Sequence, residues 1–156
     1  LPISKLCERN RKNSLVIQAA CVPFDFKGKT VSFIDCNLMS FVKDSIENDK
    51  EWIKLGEDAQ KMKCREIVVP ARTIQSIVDE QMKTLREVRI DLFVADVEGY
   101  ELQVLQGLDF FKNSPTYFIL EIQNFSRLQK ISNFLESNGY YCFGEIYEKD
   151  YLFIKR

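Results

Sequence analysis

Histidine is absent from the 156 residues. That removes Ser-His-Asp and Cys-His catalysis, HExxH metalloprotease chemistry and the usual His-containing zinc sites. Acid–base work must then fall to carboxylates, Lys, Tyr, Cys or bound water. Glycine is sparse: Gly28, Gly56, Gly99, Gly107, Gly139 and Gly144 stand isolated, so there is no G-x-G turn for a dinucleotide or phosphate. A nucleotide-dependent dehydrogenase needs that turn and is disfavoured. No apolar run approaches the roughly 18 residues of a membrane span, and no signal-like leader is evident. The chain opens on Leu1-Pro2 and not Met, so we expect its natural start to lie elsewhere. The five cysteines (Cys7, Cys21, Cys36, Cys64, Cys142) are odd in number, widely spaced and without a CxxC pair. They read as reduced structural thiols of a cytoplasmic protein. Asn124-Phe-Ser126 would accept a glycan only in a secreted chain. A net charge of -1 provides no broad field for nucleic acid or anionic membrane, and neither is expected as a partner.

What is present is a globular composition, nearly half hydrophobic and rich in Phe. With no repeat, linker or low-complexity tract, residues 1–156 read as a single domain. A helix is expected over 3–13, a buried strand at Leu15–Val22, and a hairpin through Phe24, Phe26, Val31 and Phe33 around Lys27-Gly28-Lys29. Asp35 to Lys63 is polar and weakly periodic, a long, partly helical excursion of the kind that carries substrate contacts. Glu66–Pro70 reads as a short strand closed by proline. Thr73 then caps a helix whose stripe is Ile74, Ile77, Val78, Met82 and Leu85. Strands at Ile90–Ala95 and Tyr117–Ile122 bracket a helix over 98–108. A helix over 125–138 ends at Gly139, and two antiparallel strands turn across Tyr147–Asp150. Strands alternating with helices predict an α/β fold, with a mostly parallel sheet and a C-terminal antiparallel hairpin.

The most informative stretch is Ile90-Asp-Leu-Phe-Val-Ala-Asp-Val-Glu-Gly-Tyr-Glu101. An apolar strand there delivers Asp96 and Glu98 to the carboxyl edge of a sheet, where open α/β folds bind ligands. A carboxylate at such an edge costs free energy unless it is paired, which invites a functional reading.

This stretch, with Thr73-Ile-Gln-Ser-Ile and Pro115-Thr-Tyr-Phe-Ile-Leu-Glu-Ile122, resembles the FkbM family of S-adenosylmethionine-dependent methyltransferases. The family pattern is Ile-Asp-x-x-Lys-x-Asp-Val-Glu-Gly-x-Glu, followed by an apolar strand ending in Glu. Leu1–Asn10 looks like the segment just after the family's acidic ribose-binding residue, so the likeness spans essentially the whole chain. Val94 stands where the family often has Lys, which weakens any role needing a cation beside Asp96. The resemblance implies a Rossmann-like class I sheet, S-adenosyl-L-methionine as cofactor and a small-molecule methyl acceptor bearing a hydroxyl, such as a sugar. It also implies a glycine-rich turn and two central strands, between the strands at Leu15 and Ile90, that this sequence does not contain. The chain is therefore expected to be the C-terminal part of a longer domain.

Asp96 and Glu98 are the candidate catalytic residues. Asp96 would orient the acceptor hydroxyl and receive its proton, or else cap the turn at Val97–Tyr100. Glu98 would touch the acceptor, or complement the helix N-terminus. Glu101, one turn on, reads as solvated. Glu121, Gln123 and Asn124 form a polar edge that contacts substrate or makes a structural hydrogen-bond network. Gln18, Ala19 and Ala20 fall where class I enzymes line the adenine ring. Asp96, Glu98 and Glu121 could together offer oxygen ligands to Mg²⁺, but no spacing is diagnostic and no metal is assigned. Tyr100, Trp52 and the Phe-rich segment read as core or lid. The competing reading, from a different class, is a non-catalytic module of this fold used for protein interaction.

Overall fold

The computed structural model describes residues 3–46, 48–83 and 89–156. Leu85, expected on an apolar helical stripe, lies outside the described residues. The elements run α1 (Ile3–Asn10), β1 (Ala20–Cys21), β2 (Thr30–Asp35), β3 (Phe41–Val42), α2 (Asp49–Gln60), β4 (Arg65–Arg72) and α3 (Ile74–Met82). They continue with β5 (Leu92–Ala95), α4 (Glu101–Leu105), β6 (Tyr117–Glu121), α5 (Phe125–Ser137), β7 (Tyr140–Tyr147) and β8 (Asp150–Lys155).

These strands build two four-stranded sheets, ordered β1-β4-β2-β3 and β5-β6-β8-β7. The fold is α/β, as expected, but both sheets are mixed. Among the described residues parallel pairing is confined to β1–β4 and β5–β6, and the other four ladders are antiparallel. Connectivity explains this. A helical crossover (α4) joins β5 to β6, which permits parallel pairing, whereas short reversals return β3 against β2 and β8 against β7.

The early hairpin forms differently from the sequence expectation. Phe24 and Phe26 lie outside strands, and β2 pairs instead with β3 and with Arg65 to Pro70 of β4. Of Leu15–Val22 only Ala20–Cys21 is strand, because only that end reaches the β4 ladder at Ala71 and Arg72. Pro70 does not close β4. Its missing donor is tolerated and the ladder resumes at Ala71, whose N–H bonds the Lys29 carbonyl at 3.0 Å. Cys36 and Cys64, expected as reduced thiols, are joined in a disulfide across 28 residues, between the end of β2 and the start of β4. Cys7, Cys21 and Cys142 are free.

The second half follows the sequence closely. Thr73 Oγ1 accepts the Ser76 N–H at 3.0 Å, a side-chain cap for α3. Gly139 follows α5 at φ +87, the left-handed position that favours glycine. Period-two alternation sends Phe93, Ala95, Phe118 and Leu120 inward, onto Leu105, Leu108, Ile131 and Leu135 of the α4 and α5 segments. Tyr140 completes this core, and its hydroxyl donates to the Pro115 carbonyl at 2.7 Å. Burial pushes that hydroxyl's pKa up to about 12. The opposite sheet face leaves Leu92, Val94, Tyr117, Tyr141 and Phe143 exposed.

The two halves meet through backbone. At Gly107 a Cβ would stand 2.3 Å from the Val22 carbonyl oxygen, so only glycine allows this approach. Beside it, the Gln75 N–H bonds the Gly107 carbonyl at 2.9 Å. The buried Gln75 Oε1 accepts from the Asp109 N–H at 3.1 Å and from Asn113 Nδ2 at 3.0 Å. No helix among the described residues is long and apolar enough to cross a membrane.

Candidate functional site

β5 ends at Ala95, and the chain turns sharply through Asp96–Gly99 before α4 begins. The turn holds two left-handed residues, Glu98 at φ +50 and Gly99 at φ +93. Glycine adopts this conformation freely; a glutamate there is strained and must be held by its surroundings. Tyr100 occupies the N-cap position of α4 without a side-chain cap.

Two cavities share this turn as a wall. The larger, about 770 Å³, is lined by Glu98, Gly99 and Glu101, by Trp52 of α2, and by Gln123, Asn124, Phe125 and Arg127 at the start of α5. The smaller, about 350 Å³, is apolar and lies between β1 and β5. It is lined by Ala19, Ala20, Cys21, Phe93, Ala95, Asp96, Val97 and Tyr100. Ala19 and Ala20, expected beside an adenine ring, line this cleft. Gln18 is exposed and absent from that lining. Parallel β5–β6 pairing sets Asp96 beside Glu121, and the two carboxyls hydrogen-bond.

Electrostatics follow from this crowding. Burial, reinforced by Asp96, Glu121 and Glu101, raises Glu98 from 4.5 to about 7, with Lys149 opposing. Burial also raises Glu121, reinforced by Asp96 and Asp150. Gln123 Nε2 donates to Glu121 Oε1 at 2.9 Å, and Lys149 Nζ donates to Gln123 Oε1 at 3.0 Å. Asn124 Oδ1 accepts the Arg127 N–H at 3.0 Å and so caps α5. The polar edge therefore includes a structural network, with the Asn124 amide group at the rim of the larger cavity. Among the described residues no three Asp, Glu or Cys side chains are grouped to hold a metal ion.

Two residues, Glu101 and Arg127, were misread or missed from sequence. Glu101, expected to be solvated, is 1% exposed because its Oε1 folds back onto the Gly99 N–H at 2.8 Å. Arg127 reaches from α5 to the Gly99 carbonyl and, at 3.4 Å, to the Ser45 carbonyl. Its position three residues after the cap Asn124 was the only local signal. Trp52, read as core or lid, lines the larger cavity, and its indole Nε1 is buried without a partner among the described residues. An orphaned donor of this kind calls for an explanation such as a ligand or water.

No curated protein and no solved structure matches this chain. The model of the methyltransferase FkbM domain matches residues 3–142, and the chain belongs to that family.

Proposed function

We propose that this protein transfers a methyl group from S-adenosyl-L-methionine to a hydroxyl of a small molecule or sugar, at the turn between the two cavities. The observation that carries this reading is the shared wall: Asp96 and Val97 border an apolar cleft, while Glu98 and Gly99 border a larger one of mixed polar and apolar lining. Family membership supports methyl transfer. The parallel β5–β6 pair with its helical crossover supports a Rossmann-like arrangement at this edge.

The smaller cleft fits the cofactor in part. Ala19, Ala20 and Cys21 offer small side chains beside which a flat adenine ring can lie, and Asp96 suits a nearby sulfonium cation. Its lining supplies no cation for the cofactor's carboxylate. When bound, the cofactor supplies an electrophilic methyl group. The protein's own task is mainly positioning, since in-line transfer depends on alignment more than on a strong base. Asp96 would orient the acceptor hydroxyl by accepting its hydrogen bond. Glu98, titrating near neutrality, would receive the proton that the oxygen loses. Gln123 and Asn124 would hold neighbouring polar groups of the acceptor, with Glu121 setting the charge of the edge.

Calorimetric titration with S-adenosylmethionine tests this directly. Absence of binding at high-micromolar cofactor would sink the enzyme reading. Given binding, Asp96→Asn should preserve it while abolishing label transfer from methyl-tritiated cofactor to a panel of sugars and polyols. Loss of both would assign Asp96 a structural role. A second reading, a non-catalytic interaction module, draws on the exposed apolar sheet face at Leu92, Val94 and Phe143. It predicts no cofactor binding. The disulfide favours an oxidising compartment over the cytoplasm expected from sequence.

A further inference from the structure

We propose that Glu101 and Arg127 are positioning residues that clamp the Asp96–Gly99 turn, holding Glu98 toward the larger cavity. The inference rests on the methyltransferase reading for its purpose, and on geometry for its content. Gly99 is gripped on both sides. Its N–H donates to Glu101 Oε1 at 2.8 Å, and its carbonyl accepts from the Arg127 guanidinium. The backbone N–H groups of Glu101 and Val97 also favour the charged form of the Glu101 carboxyl, against the burial that raises its pKa.

Arg127 packs directly over Gly99. A Cβ there would lie 1.8 Å from Arg127 Nη1, so the motif glycine makes room for the guanidinium as well as supplying φ +93. Reaching on to the Ser45 carbonyl, Arg127 ties the turn to the loop after β3, on the far wall of the cavity. Its planar fork reaches two carbonyls at once, which a lysine does not replicate. Within the turn itself, the Tyr100 N–H to Val97 carbonyl bond is a long one, at 3.3 Å. The left-handed glutamate therefore depends on the clamp from outside. Glu101 is nearly buried and needs a counter-charge, which Arg127 provides.

The test uses the intact protein without cofactor or acceptor. ¹³C NMR of the carboxyl carbons follows the Glu98 titration in wild type, Arg127→Met and Arg127→Lys. The charged groups facing Glu98 are Asp96, Glu121, Glu101 and Lys149, with Arg127 and Lys130 lining the same cavity. Electrostatics alone predict that removing the Arg127 cation raises the Glu98 midpoint or leaves it in place. Release of the clamp predicts the opposite: Glu98 swings toward water, and its midpoint falls by one unit or more toward the ordinary carboxylate value. Arg127→Lys keeps the charge and loses the fork, so it should show the same fall and supplies the readout should Arg127→Met unfold. A midpoint unchanged or raised in the folded variants overturns the proposal. Because no ligand takes part, this outcome is separate from whether S-adenosylmethionine binds.

Discussion

Replacing Glu98 by glutamine should make the protein more stable and inactive, and the stability gain should depend on pH. In the folded state Glu98 titrates near 7, against an ordinary value of 4.5. Below about pH 4.5 the group is protonated folded and unfolded, and contributes nothing. Between 4.5 and 7 the folded state holds a proton that the unfolded state has lost, so stability falls as pH rises. Above 7 the full penalty is present. For a fully enclosed group the shift would correspond to roughly 3 kcal/mol. Glu98 is only partly buried, and solvent screening reduces this to about 1–2 kcal/mol. Glutamine keeps the shape without the charge. Urea unfolding of wild type and Glu98→Gln at pH 4, 6 and 8 should therefore give equal stability at pH 4 and a gain of about 1–2 kcal/mol for the variant at pH 8. In the wild type, methyl transfer should rise through pH 7 as Glu98 ionises; the variant should lose that limb. A variant less stable at pH 8, or a gain independent of pH, would refute the argument that burial, reinforced by Asp96, Glu121 and Glu101, raises this carboxylate.

Other perturbations test the frame around the site. Gly99→Ala should cost roughly 2–4 kcal/mol in urea unfolding, since it combines a left-handed alanine with displacement of Arg127 from the Gly99 carbonyl. Gln75→Leu keeps the volume but strands the Asn113 amide and the Asp109 N–H. We expect a loss of roughly 2–4 kcal/mol, with the Asn113 side-chain amide protons losing their protection in NMR exchange. Removing the disulfide with Cys36→Ala/Cys64→Ala opens a 28-residue loop. The chain-entropy relation gives a cost of roughly 3–4 kcal/mol, measured against oxidised wild type. Equal stability of the two would show that the bridge adds nothing.

The carboxylate edge was legible because the sequence states it twice, as an apolar run broken at Asp96 and as a parallel partner ending in Glu121. α3 and α5 were legible for the same reason: Thr73 and Asn138-Gly139 mark their ends with residues whose backbone or side-chain chemistry suits only those places. The early strand was not. Leu15–Val22 is apolar apart from Gln18, but strand requires a ladder partner, and β4 meets it only at Ala20 and Cys21. Glu101 was misjudged because helical spacing from Glu98 presumes a helix already running, whereas the left-handed pair at Glu98 and Gly99 redirects the side chain inward. Arg127 was invisible for a different reason. Its partners lie 28 and 82 residues away in sequence, and no local pattern encodes such reach.

The larger cavity draws Ser45, Ile46 and Trp52 from the β1–β4 half of the chain and its remaining walls from the β5–β8 half. Neither half holds the pocket alone. Occupancy and docking are therefore thermodynamically linked, and a ligand present at a hundred times its Kd would add about 2.7 kcal/mol to the docked state over the separated one. Seen this way, a ligand in the cavity would act as a fastener between two sheets that share no ladder among the described residues.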